Sequence, residues 1–275
     1  MRGIREWEGC LRYAQDLPPE AREDVEAALR RVNRGFPRLV GDLASDFGLE
    51  GDDADLRRDA CILEFTAIQV ADDLADADCN YLPAPERTGP GLHWLLQHLT
   101  YSCLMRSRVS KFDIDHAARD FAAVGGAQQV EVRTSEWTFE RSAAAAAGLN
   151  GRQYSAYFRI LSSGTRFADR AADCGADFGL ALHVVTDQWT NDRRWTSLDE
   201  REKALLASIA REAVRRASKA ALPALGEALA WFEAVLGPSR KSPTNPSRRE
   251  ARARLQPSPV PSFTSGSPSR FAKRS

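Results

Sequence analysis

Several common enzyme signatures are missing from this chain. There is no GxGxxG, no P-loop and no GxSxG, so dinucleotide-binding, nucleotide-hydrolysing and serine-hydrolase chemistries lack their central elements. HExxH is absent too, and the five cysteines (Cys10, Cys61, Cys79, Cys103, Cys174) form no CxxC pair. That pattern argues against a zinc site and fits free thiols in a reducing compartment. No apolar run approaches the roughly 20 residues that span a bilayer, and the charged N-terminus is unlike a signal peptide. The expectation is a cytoplasmic protein that is not integral to a membrane. Alternating strand patterns are scarce, and no repeat of fixed period occurs.

Net charge is also lacking, since 38 basic and 38 acidic residues cancel. The cancellation hides an asymmetry. Residues 237–275 carry nine Lys/Arg against Glu250 alone, seven of the 14 prolines and many serines, leaving residues 1–236 at a net −8. The tail reads as a disordered basic extension with little to bury. Such a segment can dock on another protein or assembly; its RREARARL run gives no specific nucleic-acid signal.

What is present is helical. Pro18-Pro19 precede EAREDVEAALRRVN, with proline at a helix start. Helical periodicity continues through DDADLRRDACILEFTAIQVADDLADAD, GLHWLLQHLTYSCLMRSRV, DIDHAARDFAAV, AQQVEVRTSEWTFERSAAAAA, GRQYSAYFRILSSGTRFADRAADC, ADFGLALHVVTDQWTND and a last segment interrupted at Pro223. Residues 1–236 therefore read as one all-α bundle of about eight to ten helices.

Two stretches of that bundle carry chemistry. Asp72 and Asp76 lie at i and i+4 behind the apolar run Cys61–Val70, so their carboxylates stack on one face, flanked by Asp73. Like charges at that spacing repel, and a hard divalent cation such as Mg²⁺ cancels the repulsion while bridging to phosphate. A second apolar helix repeats the design with His183, Asp187 and Asn191 at i, i+4 and i+8, beside Asp192. Facing each other, two such helices would cage Mg²⁺ and a diphosphate.

In these features the chain resembles the trans-polyprenyl synthetase branch of the class I isoprenoid (terpenoid) synthases, in order over roughly 31–236. The family's DDxxD matches Asp72-Asp73-Leu74-Ala75-Asp76. Its GQxxD element is approximated by AQQVE, with Gln128 and Glu131, and its Y-x6-KT element by Tyr157 and SSGT, ending Gly164-Thr165. GADFGLALHVVTDQWTND stands where the family has GxxxGxxFQxxDDxxD. The departures fall on the second diphosphate pocket. GGKRxRP is reduced to RVNRGFPRL, keeping Arg34 and Pro37, RRG to Arg87 of ERTG, and the Lys of KT to Gly164, with Arg166 two places on. In the second motif Thr186 and Thr190 replace aspartates.

The resemblance implies an isoprenoid synthase bundle with a central cavity, a prenyl diphosphate substrate, two or three Mg²⁺ ions and a homodimer. The implied metal ligands are Asp72, Asp73, Asp76, Asp187, Asn191 and Asp192, the first four also catalytic. Arg34, Arg87, Gln128, Thr165, Arg166 and His183 are the implied substrate contacts. Losing cationic partners costs charge-assisted hydrogen bonds at one of two diphosphates. That favours, slightly, single-substrate terpene cyclase chemistry over chain elongation with isopentenyl diphosphate; a non-catalytic regulatory homologue is a further alternative. NDRRWTSLD, Asn191 to Asp199, is a weak match to the cyclases' NDxxSxxxE. Trp94, Trp137, Phe158, Phe178 and Trp189 are candidate pocket walls, and the modest size of Ala67 and Ile68 implies a deep cavity under the first motif. His93, His98 and His116 read as packing or surface residues.

Overall fold

The computed structural model describes residues 7–32 and 35–237. Arg34 and nearly all of the basic tail lie outside them. Eleven α-helices and no strand occur among the described residues: α1 Pro19–Arg31, α2 Gly35–Asp46, α3 Gly51–Ala75, α4 Pro85–Arg106, α5 Lys111–Arg133, α6 Phe139–Ala146, α7 Arg152–Ser162, α8 Ala168–Thr190, α9 Arg193–Thr196, α10 Glu200–Ser218 and α11 Gly226–Leu236. A π-helical turn, Ala147–Gly151, joins α6 to α7.

Several helix boundaries follow local chemistry; α4 departs by starting at Pro85 and running through Gly89-Pro90, AQQVEVRTSEWTFERSAAAAA divides between Arg133 and Phe139, and two further exceptions bear on the site. Ser110, Thr138 and Asp199 cap α5, α6 and α10 by accepting from a backbone N–H three residues on; Asp199 and Glu202 complete a capping box. The first exception is α5, which runs straight through Gly125-Gly126 where the sequence suggested a break. Both glycines lie against open space, and the packed face of α5 outweighs a helix cost of about 1 kcal/mol per glycine. The second is GRQYSAYFRILSSGTRFADRAADC, which divides at Ser163–Phe167. Gly164 adopts φ +82°, ending α7 and reversing the chain into a longer α8.

An aromatic spine runs through the core. Phe65 stacks on Phe36 at 4.0 Å, Phe36 meets Tyr154 and Tyr157, and Tyr154 leads through Phe178 to Phe232. Helix α8 lies unusually close to its neighbours. A Cβ on Gly179 would stand 2.0 Å from the Asn150 carbonyl, and one on Gly175 would stand 2.4 Å from that of Tyr154. These two glycines let α8 press onto the π-turn and α7, fixing the height of everything at its far end. All five cysteines are free and buried. No helix among the described residues is long and apolar enough to cross a membrane.

Candidate functional site

Helices α3 and α8 end at the same end of the bundle, each in a left-handed corner. Helix α3 stops at Ala77 (φ +55°), with the Asp78 N–H donating to the Asp73 carbonyl at 2.8 Å. Helix α8 stops at Asn191 (φ +55°), with the Asp192 N–H donating to the Asp187 carbonyl at 2.9 Å. Asn191 is thus exposed and serves as the turn residue. Its neighbour Asp192 caps the one-turn α9, accepting from the Arg194 N–H at 2.9 Å. The corner swings Arg194 back over the end of α8.

Arg194 is the central charge of the site. Its Nη2 lies 2.9 Å from Asp187 Oδ1, its Nε 3.0 Å from Asp192 Oδ1, and its Nη1 donates to Glu131 Oε1 on α5. The Arg194 carbonyl accepts from the buried Ser142 hydroxyl of α6 at 2.9 Å, so the backbone is pinned as well. Opposite, Gln128 of α5 donates to Asp72 Oδ1 at 2.9 Å. Asp76, the C-cap of α3, is exposed and adds its charge to those of Asp72 and Glu131.

Too few cations serve these carboxylates. Burial, with Asp76, Glu131 and Asp73 close by, lifts Asp72 to about 7. Burial lifts Asp187 to about 7 as well, against the lowering pull of Arg194. The same surroundings, burial first and then Arg194, hold His183 far below its ordinary value and therefore neutral. His183 stands between Asn150 Oδ1 and Asp187 Oδ2, 3.4 Å from each.

The implied site residues divide by location. Asp72, Asp76, Gln128, Asp187 and Asp192 converge with Glu131 and Arg194. Asp73 is buried and turns the other way: its Oδ1 accepts from Gln69 at 3.3 Å, and Arg31 Nε lies 4.0 Å from its Oδ2. One position along a helix is a rotation of about 100°, which separates it from the Asp72–Asp76 face. Asp78 meets Arg31 at 3.5 Å. Arg87 is exposed on the first turn of α4, just beyond the α3 corner.

Thr165 and Arg166 are at the other end. Arg57, 15 residues before Asp72, donates to the carbonyls of Ile160 and Ser163. At 1.5 Å rise per residue, the corner bearing Thr165 and Arg166 is about 22 Å away along α3. There the Thr165 hydroxyl accepts from the Phe167 N–H, and Arg166 stacks over the Phe167 ring. These two residues are therefore removed from the acidic cluster, because α7 and α8 are antiparallel. Asp199, the last position of the weak NDxxSxxxE match, is the α10 cap.

The cavity expectation also changes. Ala67 is buried and its carbonyl accepts from His93 Nδ1 at 2.8 Å; five residues before Asp72, it faces away from the cleft. Beneath Asp72 lie Ile68 and then Phe65. Two turns down, about 10 Å, Phe65 and Phe36 stack, and Tyr157 packs on Phe36 and Phe121. That packed aromatic layer lies where the deep cavity was expected. Of the proposed wall aromatics, Trp94 and Trp189 are exposed, whereas Phe158 and Phe178 belong to the core spine. Trp137 is buried under Arg193.

The donors fit Mg²⁺ unequally on the two sides. Asp72 and Asp76 are hard oxygen ligands at i and i+4, and Mg²⁺ commonly takes one or two carboxylates with waters and phosphate. On the α8 side a guanidinium already engages Asp187, Asp192 and Glu131. As arranged, no group of three or more His, Cys, Asp or Glu side chains among the described residues could hold a metal ion. Sequence reasoning missed Arg194, and the only trace was its place two residues after Asp192.

Comparison with known proteins yields structures only. No family model matches the chain, and no curated protein matches it. The geranyltranstransferase of Thermotoga maritima matches with a TM-score of 0.63 at 19% identity, covering 82% of this chain and 92% of that one. A geranyltransferase from Legionella pneumophila gives 0.62 at 16%, covering 83% and 92%. The Helicobacter pylori geranyltransferase complexed with magnesium and isoprenyl diphosphate gives 0.59 at 14%, covering 84% and 96%. The chain has the all-α isoprenoid synthase fold of these structures.

Proposed function

We propose that this chain is a divergent prenyltransferase of the class I isoprenoid synthase type, transferring an allylic prenyl group from its diphosphate to isopentenyl diphosphate. The observation that carries the reading is the meeting of Asp72 and Asp76 with Gln128, Glu131 and Asp187 at one end of a bundle shared with geranyltransferases. The neighbours favour prenyl transfer over the single-substrate cyclase chemistry that the sequence slightly favoured.

Asp72 and Asp76 would hold Mg²⁺, which, when bound, neutralises charge on a diphosphate leaving group. Gln128 donates to Asp72 Oδ1 and so orients the carboxylate. Arg194 presents fixed positive charge beside Asp187, and Arg87 offers another at the rim. Below them the half-buried Phe65 and Phe121 would receive the apolar chain, exclude water and offer ring faces to a developing allylic cation, with the buried Tyr157 packed behind them.

A substrate panel tests the proposal. Geranyl, farnesyl and geranylgeranyl diphosphates are incubated with Mg²⁺, each with and without isopentenyl diphosphate. Longer diphosphates formed only with isopentenyl diphosphate support it; hydrocarbon and pyrophosphate from the allylic substrate alone would return the cyclase reading. A second reading, a non-catalytic regulatory homologue, draws on the guanidinium within the acidic cluster. It predicts no turnover of any member of the panel.

The proposal includes a homodimer. Trp94, Tyr101 and Met105 form an exposed stripe at i, i+7 and i+11 on α4, and a second copy of the chain would cover that apolar surface.

A further inference from the structure

We propose that Arg194 is a resident cation that takes the place of a metal ion on the α8 side of the cleft, so that metal binds this protein only on the α3 side. The three nitrogens of its guanidinium reach carboxylates from three separate segments: Glu131 near the end of α5, Asp187 in the last turn of α8, and Asp192 at the corner between α8 and α9. The side chain is itself nearly buried, at 15% exposure, against 4% for Asp187.

Two features make this a fixed arrangement. The carbonyl of Arg194 is held by Ser142 from α6, and its N–H is held by the Asp192 cap. These bonds fix where the side chain starts, and withdrawing the guanidinium would leave the Asp187, Asp192 and Glu131 carboxylates without their shared counter-ion. A divalent ion approaching Asp187 would also meet the positive charge of Arg194 at contact distance, where repulsion is strong. Mg²⁺ further demands near-octahedral oxygen ligation at about 2.0–2.1 Å, and the Asp187 Oδ1 that would supply it is already accepting from Nη2.

Among the described residues no guanidinium forms an ion pair with Asp72 or Asp76, and Arg194 acts on Asp72 only from a distance. Asp72 Oδ1 accepts a neutral amide N–H from Gln128, and Asp76 is exposed one turn further on. The two halves of the cleft thus differ in kind: one offers oxygen ligands to an incoming ion, and the other offers a positive charge to the ligand's anionic group. This deepens the prenyl diphosphate reading and rests on it for the nature of that anion; the charge arrangement itself does not depend on turnover.

The test counts metal directly. Mn²⁺ binding to the purified chain is followed by electron paramagnetic resonance, without substrate and again with inorganic pyrophosphate, for the wild type, Asp72→Asn, Asp187→Asn, Arg194→Gln and Arg194→Gln/Asp187→Asn. The expected result is metal binding by the wild type that Asp72→Asn weakens and Asp187→Asn leaves unchanged. Arg194→Gln gains a site about tenfold or more tighter than any wild-type binding on that side, and the double variant loses it. Loss of wild-type metal on Asp187→Asn substitution, or a folded Arg194→Gln chain that gains no site, would overturn the proposal.

Folding is controlled by thermal melts. Arg194→Gln is expected to melt lower than the wild type and to recover with Mg²⁺ more than the wild type rises; equal rises in the two would count against the proposal. Arg194→Lys, which keeps the charge with a single compact ammonium, is expected to gain no metal site. Failure of the substrate panel alone would sink the prenyl reading and leave these metal counts standing.

Discussion

Gln128 Nε2 lies 2.9 Å from Asp72 Oδ1, tying α5 to the last turns of α3 across the mouth of the cleft. This bond fixes one oxygen of a carboxylate that otherwise has only like charges and the more distant Arg194 around it. Replacing Asp72 by Asn should lower prenyl transfer by about 10²-fold or more, as expected when a group acting on developing charge is removed. Gln128→Ala should cost about 10- to 100-fold through misorientation of Asp72. Steady-state rates with matched circular dichroism spectra check both.

Arg194 should matter to stability as well as to metal binding. Truncation to Ala leaves Asp187, Asp192 and Glu131 without their shared cation, and breaking such a buried pair costs about 3–5 kcal/mol. Urea denaturation of Arg194→Ala and of the wild type measures the difference. Exposed pairs such as Arg38–Asp42 supply the control, with an expected change of about 1 kcal/mol or less.

Glu64 gives a pH dependence remote from the cleft. Burial raises its pKa from 4.5 to about 7, with hydrogen bonds from Thr100 and Gln97 opposing the rise. The folded chain therefore holds this proton more tightly than the unfolded chain. The contribution is fully present below about pH 4.5 and is lost as pH rises through about 7, amounting to roughly 3 kcal/mol. Glu64→Gln should remove this part of the slope in denaturation measured between pH 4 and pH 8.

The aromatic floor should set product length. Phe65→Ala removes the ring that stacks on Phe36 two turns beneath Asp72. Products one or more isoprene units longer than wild type are expected by mass spectrometry, together with a stability loss of about 3–5 kcal/mol. Unchanged products would place the chain's path elsewhere.

The outer stripe of α4 predicts association. Trp94→Glu with Met105→Glu should convert a dimer to monomers in sedimentation velocity, since the two side chains are 66% and 75% exposed and contribute little to the fold of one chain.

Local pattern was enough for the helical class and for the α3 half of the cleft, whereas the caps Ser110, Thr138 and Asp199 were not read from it. Periodicity places Asp72 and Asp76 on one face whatever the tertiary arrangement, because helix geometry is local. The same geometry could have separated Asp73 from them, since adjacent helical positions differ by about 100°. The ends of the helices were less legible. Gly125-Gly126 reads as a stop, and the packing of α5 against α7 and the π-turn carries the helix through it.

Tertiary structure alone decided which charges meet. Arg194 follows Asp187 by seven residues, yet its contact depends on the left-handed turn at Asn191 and the Asp192 cap. Its third partner, Glu131, is 63 residues away on another helix. Thr165 and Arg166 matched a motif by spacing, but the direction of α7 carried them to the far end of the bundle. Spacing along a chain reports distance along an element; which end of the bundle that element delivers a residue to is set by long-range packing, here by Gly175 and Gly179 pressing α8 onto its neighbours.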